Sequence, residues 1–566
     1  MNAAVITGIM VLLLYLGYRY YGRHVERRCI EADPDTPTPA RVMRDGVDYE
    51  PAPPVMLFGH HFTNISGAGP IVGPVIAVVY FGWAATLGWI LLGAVFIGAV
   101  HDYLSLMVSA RMRGQSLSAI AGHLVGRRAS LVLSAFLWLA MVLVIAVFGI
   151  LCAKTLVSTP TVVLPNVGLL PTAMVIGWLV YRRGVPLWAA SIGGIGVMGG
   201  LIWAGYLWPI TLPEAWGDPF AIWFGLSMLY CLVASVLPIW VLETPRDYLS
   251  SVIAVAGLVL GFVALLVAAP QVSAPAHVAL VTDKGPLWPM LFILVACGAV
   301  SGFHSVVAGG TTVKQLRKET DGLPVGFGSM VLEAALAVQV TFLVAAGLYW
   351  AGTHLGVDGK SLVIAEILKG EGGPSEVFIR GFASVLSQGL PVIGFGVGLL
   401  FGAIILNATL VDTLDTCTRL GRFVLQEAGM ERFRWLGNRW LSGLLTVAPA
   451  TYLGLSGKAD VIWPVFGAAN QLIAALALFV VAVYLVGVRR PSLYAYIPGV
   501  FMLVTTVAAL IYQAWGFFLG PKPSVLLGVF SVVLVALAVY VAAEVVPRGL
   551  PRRQGEETVT ADEQAQ

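Results

Sequence analysis

Ser301, His304 and Ser305 stand at i, i+3 and i+4 in an apolar run, so a helix places them on one face. A buried imidazole at that position can take up and release a proton near neutral pH, whereas hydroxyls with free carbonyls suit a sodium ion. A histidine hydrogen-bonded only for packing is the plainer alternative. Asp102, next to His101, and Glu333 are carboxylates inside apolar runs. At membrane depth each costs about 2.5–3.5 kcal/mol on insertion scales, and so calls for a partner, a proton or water; both are second candidates for carrying a proton. In the run NISGAGPIVGPV, Ser66, Gly67, Ala68, Gly69 and Gly73 are expected to bare main-chain N–H groups at the start of a half-helix, whose partial positive charge suits a substrate carboxylate. A glycine packing notch is the competing reading. His60 and His61 are adjacent rather than on one helical face and have no cysteine nearby, so they read as gate or packing residues and not as a metal site. Arg246 with Asp247, and Asp412 and Asp415 with Arg419, read as gate charges at inner helix ends, with interface anchoring as the alternative. Asn470 and Gln471 read as helix-to-helix or subunit hydrogen bonders outside the core. The five cysteines form no CxxC pair and read as small buried hydrophobes. No phosphate loop and no nucleophile–base constellation is present, so ATP-driven pumping, intramembrane hydrolysis and a cofactor have no residues to run on.

The elements that position these groups are membrane spans. Of 566 residues 58% are hydrophobic and 11% charged, and the mean hydropathy is +0.87; a soluble domain is about one-quarter charged. A net charge of +3 argues against nucleic acid. Apolar runs fall at roughly 3–21, 64–81, 83–109, 129–158, 163–180, 186–208, 219–242, 248–269, 286–309, 324–351, 385–411, 438–456, 463–487, 492–515 and 524–546, predicting an all-α polytopic membrane protein of about 15 helices. With the first helix uncleaved and running from outside to inside, 26 of the 33 Lys and Arg fall inside and seven outside, which sets the register and puts the C-terminus inside. The second run is interrupted by its glycines and prolines, and the seventh, YCLVASVLPIWVLETPRDYL, carries Pro238 within it and Pro245 at its end. Two interrupted helices five apart, and therefore of opposite direction, predict a five-plus-five inverted-repeat transporter with its site at the midplane; Ser235 and the carbonyls freed by Pro238 would then face the same cavity. Simple kinks are the alternative, and no filter-like repeat supports a channel. The expected layout is an N-terminal helix at 1–21, a cytoplasmic loop at 22–57, the transporter core at 58–420, C-terminal helices at 421–546 and a disordered tail at 547–566. The polar stretch 352–384 reads as a long outer loop with a short surface helix.

The segments FGHHF (Phe58–Phe62), GAGPIVGP (Gly67–Pro74) and GAVHDYLSLMVSARMRGQSL (Gly98–Leu117) resemble the carbon starvation protein CstA family. So do YCLVASVLPIWVLETPRDYL, SGFHSVVAGGTT (Ser301–Thr312), TLDTCTRLGRF (Thr413–Phe423) and FGAANQLIAALAL (Phe466–Leu478). The resemblance covers most of the chain in order; it departs in the linker between the tenth and eleventh spans and in AGGTT, where a second serine is common. It implies membership of the amino acid–polyamine–organocation superfamily, with its five-plus-five core, and proton-coupled uptake of peptides or pyruvate by alternating access. A sodium-coupled carrier, or a substrate-binding sensor with little flux, is the alternative. The expected partners are a short peptide or small carboxylate, a proton and the lipid bilayer of a bacterial inner membrane; a homo-oligomer is left open.

Overall fold

The computed structural model describes residues 2–370, 372–429, 433–456, 459–520 and 523–548. The expected disordered tail therefore lies outside the described residues, apart from its first two positions. Helix ends are named inner and outer from the charge bias of the sequence.

In chain order the helices are α1 (Ala3–Ile30), α2 (Pro54–Ile65), α3 (Gly69–Phe81), α4 (Trp83–Arg111), α5 (Arg127–Ser158), α6 (Pro160–Arg183), α7 (Leu187–Leu207), α8 (Pro219–Val236) and α9 (Glu243–Ala268). There follow α10 (Leu287–Leu294), α11 (Phe303–Val307), α12 (Glu319–Ala345), α13 (Ile364–Lys369), α14 (Gly373–Gly389), α15 (Phe395–Gly429), α16 (Arg439–Gly454), α17 (Ala459–Gly487), α18 (Leu493–Leu519) and α19 (Val525–Arg548). Local signals set several ends. The Asn2 side chain accepts from Ala4 N, the Asp218 side chain accepts from Phe220 N beside a proline at the helix start, and Gly184 takes the left-handed conformation after α6.

Among the described residues twelve helices are long and apolar enough to cross a membrane singly, and α2 with α3, meeting at a bend of 40°, makes a thirteenth crossing. Two further crossings are too irregular or too short for that test. The chain from α10 through α11 begins near Pro275 and Ala276, whose carbonyls accept from Trp83 and Ala84 at the outer end of α4. It ends at Lys314 and Gln315, whose carbonyls accept from Glu50 and Ala52 on the inner side. Helix α16 runs antiparallel to α8, with Gly443 beside Ser235 and Gly454 beside Phe224. With these two the described residues make fifteen crossings, in line with the about fifteen apolar runs.

Packing shows how the fifteen are arranged. Long helices α5 and α15 lie against each other, and α8 and α16 each touch both of them. Helix α9 packs on the first half-helix α2, and α17 packs in the same way on α10 and α11. The two sets of five are therefore α2/α3, α4, α5, α8 and α9, and α10/α11, α12, α15, α16 and α17. Helices α6 and α7 form a hairpin inserted in the first set, α1 packs on α12 and α9, and α18 and α19 close on α17.

Four expectations are corrected by this arrangement. The seventh run is not broken in mid-membrane: α8 is continuous to Val236, and Pro238 sits in the inner turn before α9, where a proline removes no helical bond. The second interrupted crossing is the ninth, at 295–302, where the small residues of ACGAVSG provide the break. The five-helix set is not consecutive, because of the inserted hairpin, and it extends to 487 rather than 420. The 352–384 stretch is not chiefly loop: beside the expected short surface helix, α13, whose Ala365, Glu366 and Lys369 are exposed, it begins α14, which buries Phe378, Ile379, Phe382 and Val385 against α9, α12 and α15.

Candidate functional site

At the first break α2 ends at Ile65 and α3 starts at Gly69, so the N–H groups of Gly67, Ala68 and Gly69 precede the first intrahelical bonds, which Ile71 and Val72 donate to Ala68 O. The Ser66 hydroxyl is fully buried and has no hydrogen-bond partner. The backbone here is crowded: a Cβ on Gly67 would stand 2.5 Å from the Phe148 ring and 2.7 Å from Thr413 Oγ1. A Cβ on Gly69 would meet Cys297 Sγ at 2.3 Å, and one on Gly73 would meet Leu294 O at 2.5 Å. The two broken crossings therefore approach backbone to backbone. Gly73→Ala is expected to hold the outer half-helices apart and cut transport at least tenfold while the protein stays folded, since overpacking costs about 1–3 kcal/mol; initial uptake rates beside a thermal melt check this.

The second break is held by α17. Asn470 Oδ1 accepts from Phe303 N at 2.8 Å and from Ser301 Oγ at 3.2 Å, and Asn470 O accepts from Gly302 N at 3.0 Å. Trp89 Nε1 donates to Val295 O at 3.0 Å. Asn470 is thus a core residue capping the second half-helix, which corrects its placement outside the core. Its sequence signal is an amide inside an apolar helix; what the sequence lacks is the neighbour that amide serves.

Three sequence candidates scattered over 231 positions come together beside the breaks. His304 Nδ1 lies 2.8 Å from Asp102 Oδ2, His304 Nε2 lies 3.4 Å from Glu333 Oε2, and Asp102 Oδ1 lies 2.9 Å from His101 Nδ1. All four side chains are completely buried. The His304–Glu333 separation is an ion-pair distance without hydrogen-bond geometry, so both Glu333 oxygens and His304 Nε2 are left unpartnered. Ser305 shares the helix but donates to Gly302 O at 2.7 Å and is turned to its own backbone. The arrangement is two carboxylates on either side of one imidazole, a set that can hold and pass a proton without exposing a net charge to lipid.

Below the first break lies a buried charge network. Arg246 contacts Asp247, Asp415 and Tyr230, and its Nε lies 2.8 Å from Asp412 Oδ1. Asp247 Oδ2 also lies 2.6 Å from His60 Nδ1 and accepts from Asn64 Nδ2 at 2.7 Å, while His60 Nε2 lies 3.0 Å from Thr311 Oγ1 and His61 Nδ1 lies 2.9 Å from Thr312 Oγ1. His60 thus ties α2 to α9 and to the end of the second broken crossing. Five of the six gate candidates, His60, Arg246, Asp247, Asp412 and Asp415, converge here, while His61 bonds Thr312 instead, and among the described residues no three His, Cys, Asp or Glu side chains form a metal-holding group.

Arg419 extends the network. Its Nε donates to Glu243 at 2.7 Å, its Nη1 to Asp48 at 3.1 Å, and its Nη2 to the carbonyls of Ala234 and Leu237 at 2.9 and 2.6 Å. These are the carbonyls freed ahead of Pro238, and an arginine holds them. Ser235 donates to Leu232 O at 2.9 Å and packs by Gly443, so neither Ser235 nor Pro238 lies at the breaks, and their substrate assignment is corrected. The physical cause is the position of Pro238 at a helix end and not within one.

Because α1 runs on to Ile30 and α2 starts at Pro54, the expected 22–57 loop shortens to 31–53, and this segment straps the inner face. Ile239 N donates to Val47 O, and Trp240 Nε1 to Gly46 O. Burial alone would raise the Asp48 carboxyl, but Arg419, Arg422 and Lys314 outweigh it and hold it below the usual carboxylate range. A depressed carboxyl contributes its stability above its unfolded value, and that contribution fades as pH falls through about 4 and below. Asp48→Asn is therefore expected to loosen the strap at neutral pH and to flatten its acid dependence, read by limited proteolysis of 31–53 across pH.

The family described as Carbon starvation protein CstA matches residues 2–509. The chain belongs to the carbon starvation protein CstA family. Its relatives include the peptide transporter CstA of Campylobacter jejuni, 32% identical over 88% of this chain and 78% of that protein. The pyruvate/proton symporter BtsT of Escherichia coli K12 is 30% identical over 89% and 80%, and the peptide transporter CstA of Bacillus subtilis is 30% identical over 95% of each. Among solved structures, the Eremococcus coleocola manganese transporter aligns with a TM-score of 0.51 at 11% identity, over 89% of this chain and 98% of that one, a likeness of fold alone. This member of the CstA family is a multi-pass membrane transporter.

Proposed function

We propose that this CstA-family protein is an alternating-access importer that moves a small carboxylate or short peptide inward together with a proton. Substrate binds at the first break, where the N–H groups of Gly67, Ala68 and Gly69 and the orphan hydroxyl of Ser66 receive its carboxylate. The proton rides on the Asp102–His304–Glu333 set, and that buried set is the observation that carries the reading. His304 lies three residues from Ser301 at the second break, so a change in its charge acts where the half-helix must move. In the conformation described, the Arg246 network closes the inner side; on the import reading, substrate and proton loaded from outside weaken it. The N-terminus is outside and the C-terminus inside a bacterial inner membrane, and the protein is a carrier and not an enzyme.

Reconstituted vesicles test this. Pyruvate with one proton moves no net charge, while a zwitterionic peptide with one proton carries one, worth about 2.3 kcal/mol at roughly 100 mV. Uptake that follows an imposed pH gradient in the absence of sodium is expected, and current identifies the peptide case. Sodium dependence without pH dependence overturns the proton assignment, and substrate binding without flux makes the protein a sensor.

A further inference from the structure

The positive-inside bias leaves only seven Lys and Arg on the outer side of the chain. One of them, Arg380, is neutralised by Asp358 at 2.8 Å and Glu376 at 2.7 Å. Two others, Lys154 near the outer end of α5 and Lys284 in the turn before α10, line one cavity of about 360 Å³. Its wall includes Val72 of α3 and Leu294 of α10, so it opens directly above both breaks. Neither lysine has an acidic partner among the described residues. The Lys284 ammonium stands 5.6 Å from the Tyr80 ring, another wall residue. The floor is aromatic: Trp463 stacks with Phe148 at 6.5 Å and meets Phe466 edge-on at 5.5 Å, and Phe148 is the ring that touches Gly67.

Each feature has a physical consequence. Two half-buried cations in a partly apolar cavity above the breaks focus a positive potential there, which concentrates anions and repels cations. The aromatic floor lies between that cavity and the first break. We infer that Lys154 and Lys284 form an outer antechamber that captures the carboxylate of a net-anionic substrate and makes the transporter favour small carboxylate anions over zwitterionic or cationic peptides. This rests on the import reading above and names the substrate class for it.

The test is uptake of pyruvate and of dialanine into vesicles by the parent protein, Lys154→Gln, Lys284→Gln, the double Gln variant and the double Arg variant, at low and high salt. Because neither lysine is ion-paired, the variants are expected to fold. The double Gln variant should raise the pyruvate KM about tenfold with kcat little changed and lose most of the salt dependence of kcat/KM. Dialanine kinetics should stay within twofold, and the double Arg variant should behave as the parent does. Unchanged pyruvate KM, an equal loss for both substrates, or a parent that carries dialanine and no pyruvate overturns the inference while leaving import intact. A parent that carries neither, with or without a pH gradient, removes the import reading itself.

Discussion

His304→Ala is expected to abolish pH-driven accumulation while exchange of substrate across the vesicle wall continues. Each pH unit of gradient is worth 1.36 kcal/mol per proton, about a tenfold accumulation of a co-transported anion; without a proton carrier that ratio falls to one. The expectation follows from burial. The imidazole stands between Asp102 at 2.8 Å and Glu333 at 3.4 Å, and nothing else described there bridges the two carboxylates. Asp102→Asn should uncouple in the same way, and His304→Gln, which fills similar space, separates loss of proton transfer from loss of packing. Full accumulation by both His304 variants removes His304 from coupling.

The second large effect is at the inner network. Arg246→Gln leaves Asp247, Asp412 and Asp415 buried against one another, and breaking a buried pair from one side costs about 3–5 kcal/mol. The loss should appear as a lower thermal midpoint in detergent and as access from the inner side to the Asn64 region. Adding Asp415→Asn should restore part of the stability, since one of the stranded carboxylates is then neutral. A single variant within about 0.5 kcal/mol of the parent would show that the network holds nothing closed.

Much of this was legible in the sequence because membrane physics writes loudly. The fifteen apolar runs mark the crossings, since a span must be apolar over about 20 residues, and the 26-to-7 split of basic residues predicts their register. The first break was legible because glycines and prolines crowd a span. The second was not: Pro238 is the louder signal, but a proline at a helix end breaks nothing, while the quiet small residues at 295–302 do. His304, Asp102 and Glu333 each stood out as costly polar groups in apolar runs, yet their union needed the fold: helical spacing says nothing of a helix 202 positions away, and the single face expected for Ser301, His304 and Ser305 does not form, because Ser301 lies in the break before α11. Asn470 was misplaced for the same reason: the inserted hairpin of α6 and α7 shifts the second set of five along the chain.

Alternation of access around the two breaks is tested most directly at Cys297, which lies against Gly69 and receives a hydrogen bond from Asn470 at 3.4 Å. It is buried, as are Cys29, Cys152, Cys231 and Cys417, which can be replaced to leave it alone. During flux in vesicles, Cys297 should react with a membrane-impermeant maleimide added outside and, in separate vesicles, inside, and bound substrate should slow both reactions. Sustained flux with a Cys297 that reacts from neither side would contradict a transport path through the breaks.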